Sequence, residues 1–562
     1  MTFVIDPGPL DRALDHACAR LEYAHFVDAL WRRRLDLWTS DPAVQRMIAV
    51  RLGWLDAIET MRPHAPRLRL FGEDVRGAGL TDIVLLGMGG SSLAAATLQT
   101  VFGPAAGAPR FHVVDSVDPD VVRAIMARAS TSLFLIASKS GSTIEVTALA
   151  AEAERRLRVA GMSDPASRFV AITDEGTSLH RRAIEQRFRE TFLNPSDVGG
   201  RFSGLTFFGL VPAALMRIDI DALLESAQTM AEMCRLPDPR RNPGVALGAV
   251  LAAAAASGRD KLTLRLPDAL TPMGFWIEQL VAESTGKDAT GIVPIVGEPS
   301  DASYADDRIV VEIGEAQPGS APPVTHARQG PPHVRLAYDG LGAEFFRWQV
   351  ATATAGFLLG VNPFDEPNVQ QSKDATRALL DMYGAEQRLP IPNAHMTIDH
   401  VVITLSAAVR LQTADPLTLP RLVNAGDYFG LLAYVAPDDS RFAPSLQEFR
   451  AAVAAMTRCA TTLGFGPRYL HSTGQLHKGG PNTGVFVIVT ADAAEDLPVP
   501  GQPYSFGVLE LAQAIGDFQA LESLGRRALL VRLPRRDPSL LQRVASALLG
   551  SERGQNGVGS QF

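Results

Sequence analysis

The sequence has little cysteine, few aromatic residues and no long apolar run. Its three cysteines, Cys18, Cys234 and Cys459, are too widely spaced for a zinc knuckle. A chain of 562 residues that is 46% hydrophobic can bury large cores without disulfides. Residues 245–256 form the longest apolar stretch, which is too short to span a bilayer and predicts a buried helix. We therefore expect a soluble globular protein of three or four structural units, at roughly 150 residues each.

The sequence also has fewer positively charged than negatively charged residues. The 53 Lys and Arg against 61 Asp and Glu give a formal net charge of -8, the wrong sign for nonspecific attraction to nucleic acids or anionic membranes. The N-terminus carries Asp6, Asp11 and Asp15 instead of a basic and then apolar leader, which does not indicate a signal peptide. We expect a cytoplasmic protein that binds a small molecule and has no nucleic-acid or membrane partner.

The hydrophobic pattern changes character along the chain. Residues 9–38 have apolar positions at helical spacing, which predicts an amphipathic helical lead-in. From residue 81, short runs that are apolar at every position alternate with alanine-rich helical patterns, as is typical of a parallel sheet covered on both faces. The strands predicted for this first unit are Ile83–Leu86, Phe111–Val114, Leu133–Ala137 and Phe169–Ile172.

Two further units of similar texture follow. The second has predicted strands at 262–266 and 309–313 and a loop rich in Pro and Gly at 316–333. The third has predicted strands at 401–405, 431–435 and 485–489 and a long helix over 445–463. The predicted fold class is α/β, with two doubly wound parallel-sheet domains, a third α/β C-terminal layer and a helical N-terminal lead-in. The predicted division is 1–79 for the lead-in, 80–215, 216–395 and 396–550 for the α/β domains, and 551–562 for a disordered tail.

A glycine-rich turn, Gly87–Ser92, directly follows the first predicted strand and opens a helix. Its glycines allow backbone amides to approach an anion, and the helix N-terminus adds partial positive charge. A purely structural turn is the alternative, because the spacing is not that of a dinucleotide fingerprint. We expect Gly90 and Ser91 to line a site.

The turn Ser138–Thr143 is more informative, since it places four hydroxyls and a glycine at a helix N-terminus. Hydroxyls can each donate to a separate phosphate oxygen, and the amides of the first turn stay unsatisfied unless an anion or a cap meets them. The alternative is an N-cap, which requires only one hydroxyl. The candidate phosphate-binding residues are Ser138, Lys139, Ser140, Ser142 and Thr143.

Two loops of this kind resemble the sugar isomerase (SIS) fold, and a third motif narrows the family. Residues 194–203, with V-G-G-R-F-S at their end, are similar to the phosphoglucose isomerase signature. The resemblance implies that Arg201 stabilises an enediolate, and a guanidinium that cannot lose its charge suits a developing oxyanion. The alternative is an arginine in a surface ion pair.

Two more segments extend the resemblance to roughly residues 80–385. Residues 283–287, E-S-T-G-K, are similar to the family segment whose glutamate moves a proton between C1 and C2, which makes Glu283 the implied base. Residues 362–373 resemble the segment whose lysine reaches the sugar oxygens, which implies that role for Lys373; a solvated lysine is the alternative. Glu145 matches the family glutamate that follows the phosphate loop and contacts substrate.

The ring-opening histidine of the family is displaced in this sequence. Between Glu283 and Lys373 there are only His326 and His333, and neither lies in the expected H-S-x-G-Q setting. That setting occurs later, at 471–475, in a stretch that resembles the isomerase half of transaldolase/phosphoglucose isomerase fusions. The resemblance favours His471 over His477 for ring opening.

The resemblance implies a glucose-6-phosphate isomerase that acts through an enediolate without metal or redox cofactor. The eleven histidines form no ligand-spaced cluster apart from His471 and His477. The implied partners are a small sugar phosphate, a second copy in a homodimer, and a possible fusion to or association with transaldolase. The alternatives are an isomerase for another sugar phosphate, an amidotransferase isomerase domain, and a noncatalytic SIS protein that binds sugar phosphates.

Overall fold

The computed structural model describes residues 3–298, 304–314, 330–412, 419–437 and 439–550. Most of the loop predicted at 316–333, including His326, and the tail predicted at 551–562 lie outside the described residues.

The N-terminal segment is mainly helical, as predicted, but it is divided into several short helices. The backbone at His25 is left-handed, with φ 47°, and this interrupts the helical pattern at the end of the first helix. The segment also begins with a strand that the sequence did not predict. Its elements are β1 (Phe3–Asp6), α1 (Asp11–Tyr23), α2 (Phe26–Trp31), α3 (Pro42–Ala49), α4 (Ala57–Met61) and α5 (Ala65–Gly77).

The next nine elements alternate strand and helix and form a fully parallel sheet. They are β2 (Asp82–Gly87), α6 (Leu93–Phe102), β3 (Arg110–Val114), α7 (Pro119–Met126), β4 (Ser132–Ala137), α8 (Ile144–Val159), β5 (Phe169–Thr173), α9 (Ser178–Gln186) and β6 (Glu190–Leu193). The strand order is β3-β2-β4-β5-β6, and each neighbouring pair is parallel. The four predicted strands are confirmed, and β6 is an additional edge strand.

Three helices come next in the chain, and a second sheet with its flanking helices follows them. The elements of this part are α10 (Phe207–Leu215), α11 (Ile220–Met233), α12 (Pro243–Ala256), β7 (Lys261–Arg265), α13 (Thr271–Thr285), β8 (Val293–Ile295), β9 (Arg308–Gly314), β10 (His333–Ala337), α14 (Leu341–Leu359) and α15 (Val369–Glu386). The order is β1-β10-β9-β7-β8, in which only β1 is antiparallel to its neighbour. The apolar stretch at 245–256 is the buried helix α12, as predicted. Among the described residues, no helix combines the length and the apolar character that crossing a membrane requires.

The C-terminal layer is a mixed sheet of six strands. Its elements are β11 (Met396–Ile398), β12 (Val401–Leu405), α16 (Ala407–Gln412), β13 (Tyr428–Tyr434), α17 (Phe442–Thr457), β14 (Ala460–Phe465), α18 (Gly474–Gly479), β15 (Gly484–Ala491), α19 (Phe506–Ser523), β16 (Arg527–Leu533) and α20 (Pro538–Leu548). The order is β11-β12-β16-β15-β13-β14, with β13 to β16 parallel and β11 and β12 antiparallel.

One prediction in this layer was wrong. The helix expected over 445–463 ends at Thr457, where Arg458 takes a left-handed conformation with φ 58°. Residues 460–465 then form the edge strand β14, which pairs with β13. The β-branched pair Thr461 and Thr462 suits a strand better than a helix.

The third layer shares a hydrophobic core with the first sheet. Phe134 and Leu86 of the first sheet belong to the same buried cluster as Leu432 and Ile488 of the third layer. This packing brings the C-terminal elements up to the ends of β2 and β4, where the two predicted loops begin. The doubly wound α/β fold class with a third layer is confirmed, whereas the exact domain boundaries stay a prediction.

Candidate active site

A cavity of about 240 Å³ opens beside the hydroxyl-rich loop that follows β4. Its wall combines this loop and the start of α8 with α15, the turn at 468–471, α18 and α19. Six of the residues singled out in the sequence line it: Ser140, Ser142, Thr143, Glu145, Lys373 and His471. The fold thus gathers residues that are more than 300 positions apart in the chain around one space.

The hydroxyl loop leaves the N-terminus of α8 without a side-chain cap. Thr143 is the N-cap residue, yet it makes no capping hydrogen bond, because its hydroxyl bonds with Ser138 Oγ at 2.9 Å. Ser140 and Ser142 are exposed, with their hydroxyl oxygens 3.3 Å apart. This arrangement disfavours the N-cap alternative and leaves first-turn amides and two hydroxyls available for an anion.

Two cations of α15 line the same cavity. Lys373 and Arg377 are one helical turn apart and exposed, and neither has an acidic partner within 4 Å in the described part of the chain. Cations of this kind favour the binding of a phosphorylated ligand. Arg377 is a residue that sequence analysis missed, although its spacing of four from Lys373 places both on one helix face.

Lys139 does not take the position expected of it. Its ammonium forms an ion pair with Asp174 and donates to the carbonyl of Ser196 at 3.0 Å. It is not among the residues that line the cavity. In this structure the charge of Lys139 therefore serves to join neighbouring loops.

His471 reaches the cavity from the third layer of the same chain. Its Nε2 lies 2.9 Å from Glu145 Oε1, and Gln513 Nε2 donates to the same oxygen at 2.6 Å. Burial raises the pKa of Glu145, but the neighbouring His471 and the hydrogen bonds outweigh this and hold the pKa below its ordinary value. Glu145 is therefore an ionised carboxylate that orients the imidazole.

Glu283 lies in the last turn of α13, next to the backbone of His471. Gln279, one turn earlier, donates from Nε2 to Glu283 Oε2 at 3.3 Å and to the carbonyl of His471 at 2.7 Å. Burial raises the pKa of Glu283 to about 7, in spite of the nearby Arg201. A carboxylate with a pKa near neutrality suits a general base.

Arg201 is fixed beside this carboxylate by protein groups. Its Nη1 lies 3.5 Å from Glu283 Oε2, and its side chain is only 4% exposed. The other partners are Ser284 Oγ at 2.7 Å, Glu366 Oε2 at 2.9 Å and the carbonyl oxygens of Pro363 at 2.8 Å and Asp365 at 3.0 Å. The guanidinium is thus an immobile positive charge next to the candidate base, and it is not the surface ion pair of the alternative interpretation.

The glycine-rich turn after β2 allows a close approach of three segments. Gly89 has φ 52°, and a Cβ there would lie 2.4 Å from the carbonyl oxygen of His471. A Cβ at Gly90 would lie 2.3 Å from the Gly200 carbonyl. The absence of side chains at these glycines lets the turn of His471 and the loop of Arg201 meet. Gly90 and Ser91 are not among the residues that line the cavity.

The other histidines lie elsewhere. His477 is buried, its ring centroid 4.8 Å from that of Phe486, and burial lowers its pKa to about 3. His333 is in β10, with Nε2 3.2 Å from Glu312 Oε2, and it does not line the cavity. No group of three or more His, Cys, Asp or Glu side chains could hold a metal ion within the ranges that the structure describes.

Comparison with known proteins shows which part of the chain is similar to a known family. Residues 59–298 match the family model described as Phosphoglucose isomerase. This range, less than half of the chain, is thus similar to a phosphoglucose isomerase domain. It includes the hydroxyl loop, Arg201 and Glu283, whereas Lys373 and His471 lie beyond the matched range.

Relatives and solved structures have the following degrees of similarity. The chain is 36% identical over 259 residues to the glucose-6-phosphate isomerase of Cyanothece sp., covering 45% of this chain and 49% of the relative. It is 29% identical over 385 residues to the glucose-6-phosphate isomerase of Rubrobacter xylanophilus, covering 58% of this chain and 88% of the relative. A crystal structure of a glucose-6-phosphate isomerase from Chlamydia trachomatis matches with a TM-score of 0.49 and 21% identity, covering 65% of this chain and 79% of that one. The chain spans about half the length of the Cyanothece relative.

Proposed function

We propose that the chain is an aldose–ketose isomerase that interconverts glucose 6-phosphate and fructose 6-phosphate through an enediolate. The observation that carries the proposal is the pair of Glu145 and His471 at a cavity with an uncapped hydroxyl loop. Glu283, with Arg201 beside it, is linked through Gln279 to the backbone of His471, although neither Glu283 nor Arg201 is among the residues that line the cavity. The relatives named above bear the name glucose-6-phosphate isomerase, which supports the same substrate.

The proposed scheme assigns each group a step. The loop of Ser140, Ser142 and Thr143 binds the phosphate through hydroxyls and first-turn amides. His471, held by Glu145, transfers the proton that opens the ring, and Lys373 contacts the sugar hydroxyls. Glu283 then takes the proton from C2 of the aldose and returns it to C1 of the ketose. The fixed charge of Arg201 favours the enediolate that forms beside it.

The test of this proposal is a coupled assay on the purified chain with a panel of hexose 6-phosphates. We expect fructose 6-phosphate and glucose 6-phosphate to be interconverted with the highest kcat/KM. Turnover of another sugar phosphate alone would favour an isomerase for that sugar, and tight binding without turnover would favour a noncatalytic SIS protein.

Removal of two hydroxyls from the loop tests the phosphate site. We expect Ser140→Ala with Ser142→Ala to weaken the binding of glucitol 6-phosphate, which has no carbonyl and cannot react. Hydrogen bonds to a charged group contribute about 1.5 to 3 kcal/mol each, so the dissociation constant should rise about 100-fold or more. Calorimetry would measure it. Ser130→Ala with Ser257→Ala, at exposed positions away from the cavity, is the control, and equal affinity in both double variants would make the loop structural.

The pH dependence of the reaction tests the environment of Glu283. Its pKa of about 7 arises from burial, and the neighbouring carboxylate of Glu366 contributes to the increase. Because a base must be ionised, kcat/KM should rise as pH increases through about 7. Glu366→Gln removes a negative charge near Glu283 and leaves Arg201 less neutralised, so the pKa of Glu283 should fall and the acid limb of the kcat/KM profile should move to lower pH.

The control is Glu225→Gln, which removes a carboxylate 3.5 Å from the exposed Arg62 and should leave the acid limb in place. An unmoved acid limb in Glu366→Gln would contradict the assignment of Glu283 as the base.

A cytoplasmic location, a homodimer and an association with transaldolase stay predictions. His471 and its partners come from the same chain as the hydroxyl loop, so the proposed scheme works within one protomer. Light scattering on the purified chain would measure whether it forms the dimer that the family resemblance implies.

A further inference from the structure

The third layer contributes a buried amide to the site. Gln513 lies in the middle of α19, and it is only 3% exposed. Its Nε2 donates at 2.6 Å to Glu145 Oε1, the oxygen that also lies 2.9 Å from His471 Nε2. One carboxylate oxygen therefore meets two donors, both supplied by elements that lie outside the range similar to a phosphoglucose isomerase domain.

We infer that Gln513 is a positioning residue that holds the Glu145 carboxylate against His471 for ring opening. This inference rests on the proposed function. A buried carboxylate that accepts one hydrogen bond fewer is less stable as an anion and less restricted in rotation. Without the amide, Glu145 would present its charge to the imidazole less often in the required orientation.

The packing of α19 does not require this amide. Asp517, one turn further along the helix, forms an ion pair with Lys478 at 2.6 Å and accepts a hydrogen bond from Tyr469 at 2.7 Å. Ser372 of α15 donates to the same carboxylate at 3.2 Å. These contacts dock the helix on α15 and α18. The Oε1 atom of Gln513 is buried without a partner in the described part of the chain, a cost that an apolar side chain would avoid at a position serving only to pack.

The charges around Glu145 leave His471 as its main counterion. Lys478 is neutralised by Asp517. Burial raises the pKa of Glu510, one turn before Gln513, well above its ordinary value, which disfavours a second negative charge on this helix. Lys373 and Arg377 line the same cavity from α15 and are exposed.

Two variants separate positioning from packing. Gln513→Met keeps the length of the side chain and removes the donor; we expect kcat for glucose 6-phosphate to fall about 10-fold to 100-fold, with KM nearly unchanged. Turnover of 5-deoxyfructose 6-phosphate, which lacks the C5 hydroxyl and cannot close its ring, should change less than threefold. Gln513→Glu should be close to wild type at pH 6, where a shared proton replaces the amide donor, and should fall toward the Met variant as the pH is raised.

The control is Gln542→Glu, because Gln542 also donates to a glutamate, Glu448, at 3.1 Å but on the exposed surface. It should behave as wild type at every pH. Full activity of Gln513→Met would overturn the inference. Equal loss in the Met and Glu variants at pH 6, or equal loss with the cyclic and the open-chain substrate, would also overturn it.

A second measurement keeps this inference distinct from the proposed function. If the wild-type chain does not isomerise hexose 6-phosphates, the proposed function fails. The histidine-ring NMR signals of His471, assigned with His471→Ala, would still report on Gln513. We expect Gln513→Met to displace them and Gln542→Glu to leave them in place, and unmoved signals in Gln513→Met would overturn the positioning role.

Discussion

Replacing Glu283 by glutamine should lower kcat by about 100-fold to 10,000-fold, the usual contribution of one positioned general base. The amide has the shape of the carboxyl but cannot accept the carbon-bound proton. Binding of glucitol 6-phosphate should stay within a few-fold of wild type, because the hydroxyl loop and the cations of α15 are untouched. Coupled assays and calorimetry on the same preparation would measure the two effects separately.

A matched control exists elsewhere in the second sheet. Glu344 is also fully buried, and burial raises its pKa to about 7. It lies 3.0 Å from an arginine, Arg347, as Glu283 lies beside Arg201, but within the described residues it has no counterpart of the Gln279 side chain that links Glu283 to His471. Glu344→Gln should keep kcat near wild type in the folded fraction. Wild-type kcat in Glu283→Gln would mean that another group is the base.

The second large effect is expected at His471. In His471→Ala, conversion of glucose 6-phosphate should fall about 100-fold or more, because the general acid–base group for ring opening is removed. Turnover of 5-deoxyfructose 6-phosphate should remain near wild type, since ring opening and proton transfer at carbon use different groups. Steady-state assays with both substrates would give the ratio of their turnover rates in the variant and in the wild type.

The rival histidines provide the comparison. His333→Ala should leave the turnover of both substrates unaffected, since His333 lies beside Glu312 in the second sheet and does not line the cavity. His326→Ala is the third variant of the series. If His471→Ala converts the cyclic substrate as fast as wild type and a rival variant does not, ring opening belongs to the rival.

The sequence predicted most of the strands because their residues are apolar on both faces. Of the seven strands that it missed, β1, β6, β8, β11 and β14 lie at the edges of sheets, whereas β10 and β16 are interior. Residues 190–193 begin with Glu190, and residues 460–465 contain Gly464 and two threonines, so neither segment has a continuous apolar run. Residues 3–6 are an edge strand whose partner, β10, lies more than 300 positions away, and a local pattern does not reveal such pairing.

The site could be predicted where a motif is local and not where the fold brings distant groups together. Glu283 and the hydroxyl loop each follow from a short segment. The pairing of His471 with Glu145 joins two motifs 326 positions apart, and only the packing of the third layer on the first sheet shows it. Gln513 lies in an ordinary helical pattern without any local signal. The Lys139 side chain forms an ion pair with Asp174. This contact joins two loops that are distant in sequence, so a local motif does not predict it.

Deuterium incorporation tests the central claim most directly. The purified chain would interconvert fructose 6-phosphate and glucose 6-phosphate in D₂O over many turnovers, and C2 of glucose 6-phosphate would then be analysed by NMR or mass spectrometry. A glutamate base that carries the proton through an enediolate can exchange it with solvent in a fraction of the turnovers, so we predict that deuterium accumulates at C2. Glucose 6-phosphate that stays free of deuterium after many turnovers would indicate direct hydride transfer, and either that result or the absence of interconversion would contradict the account.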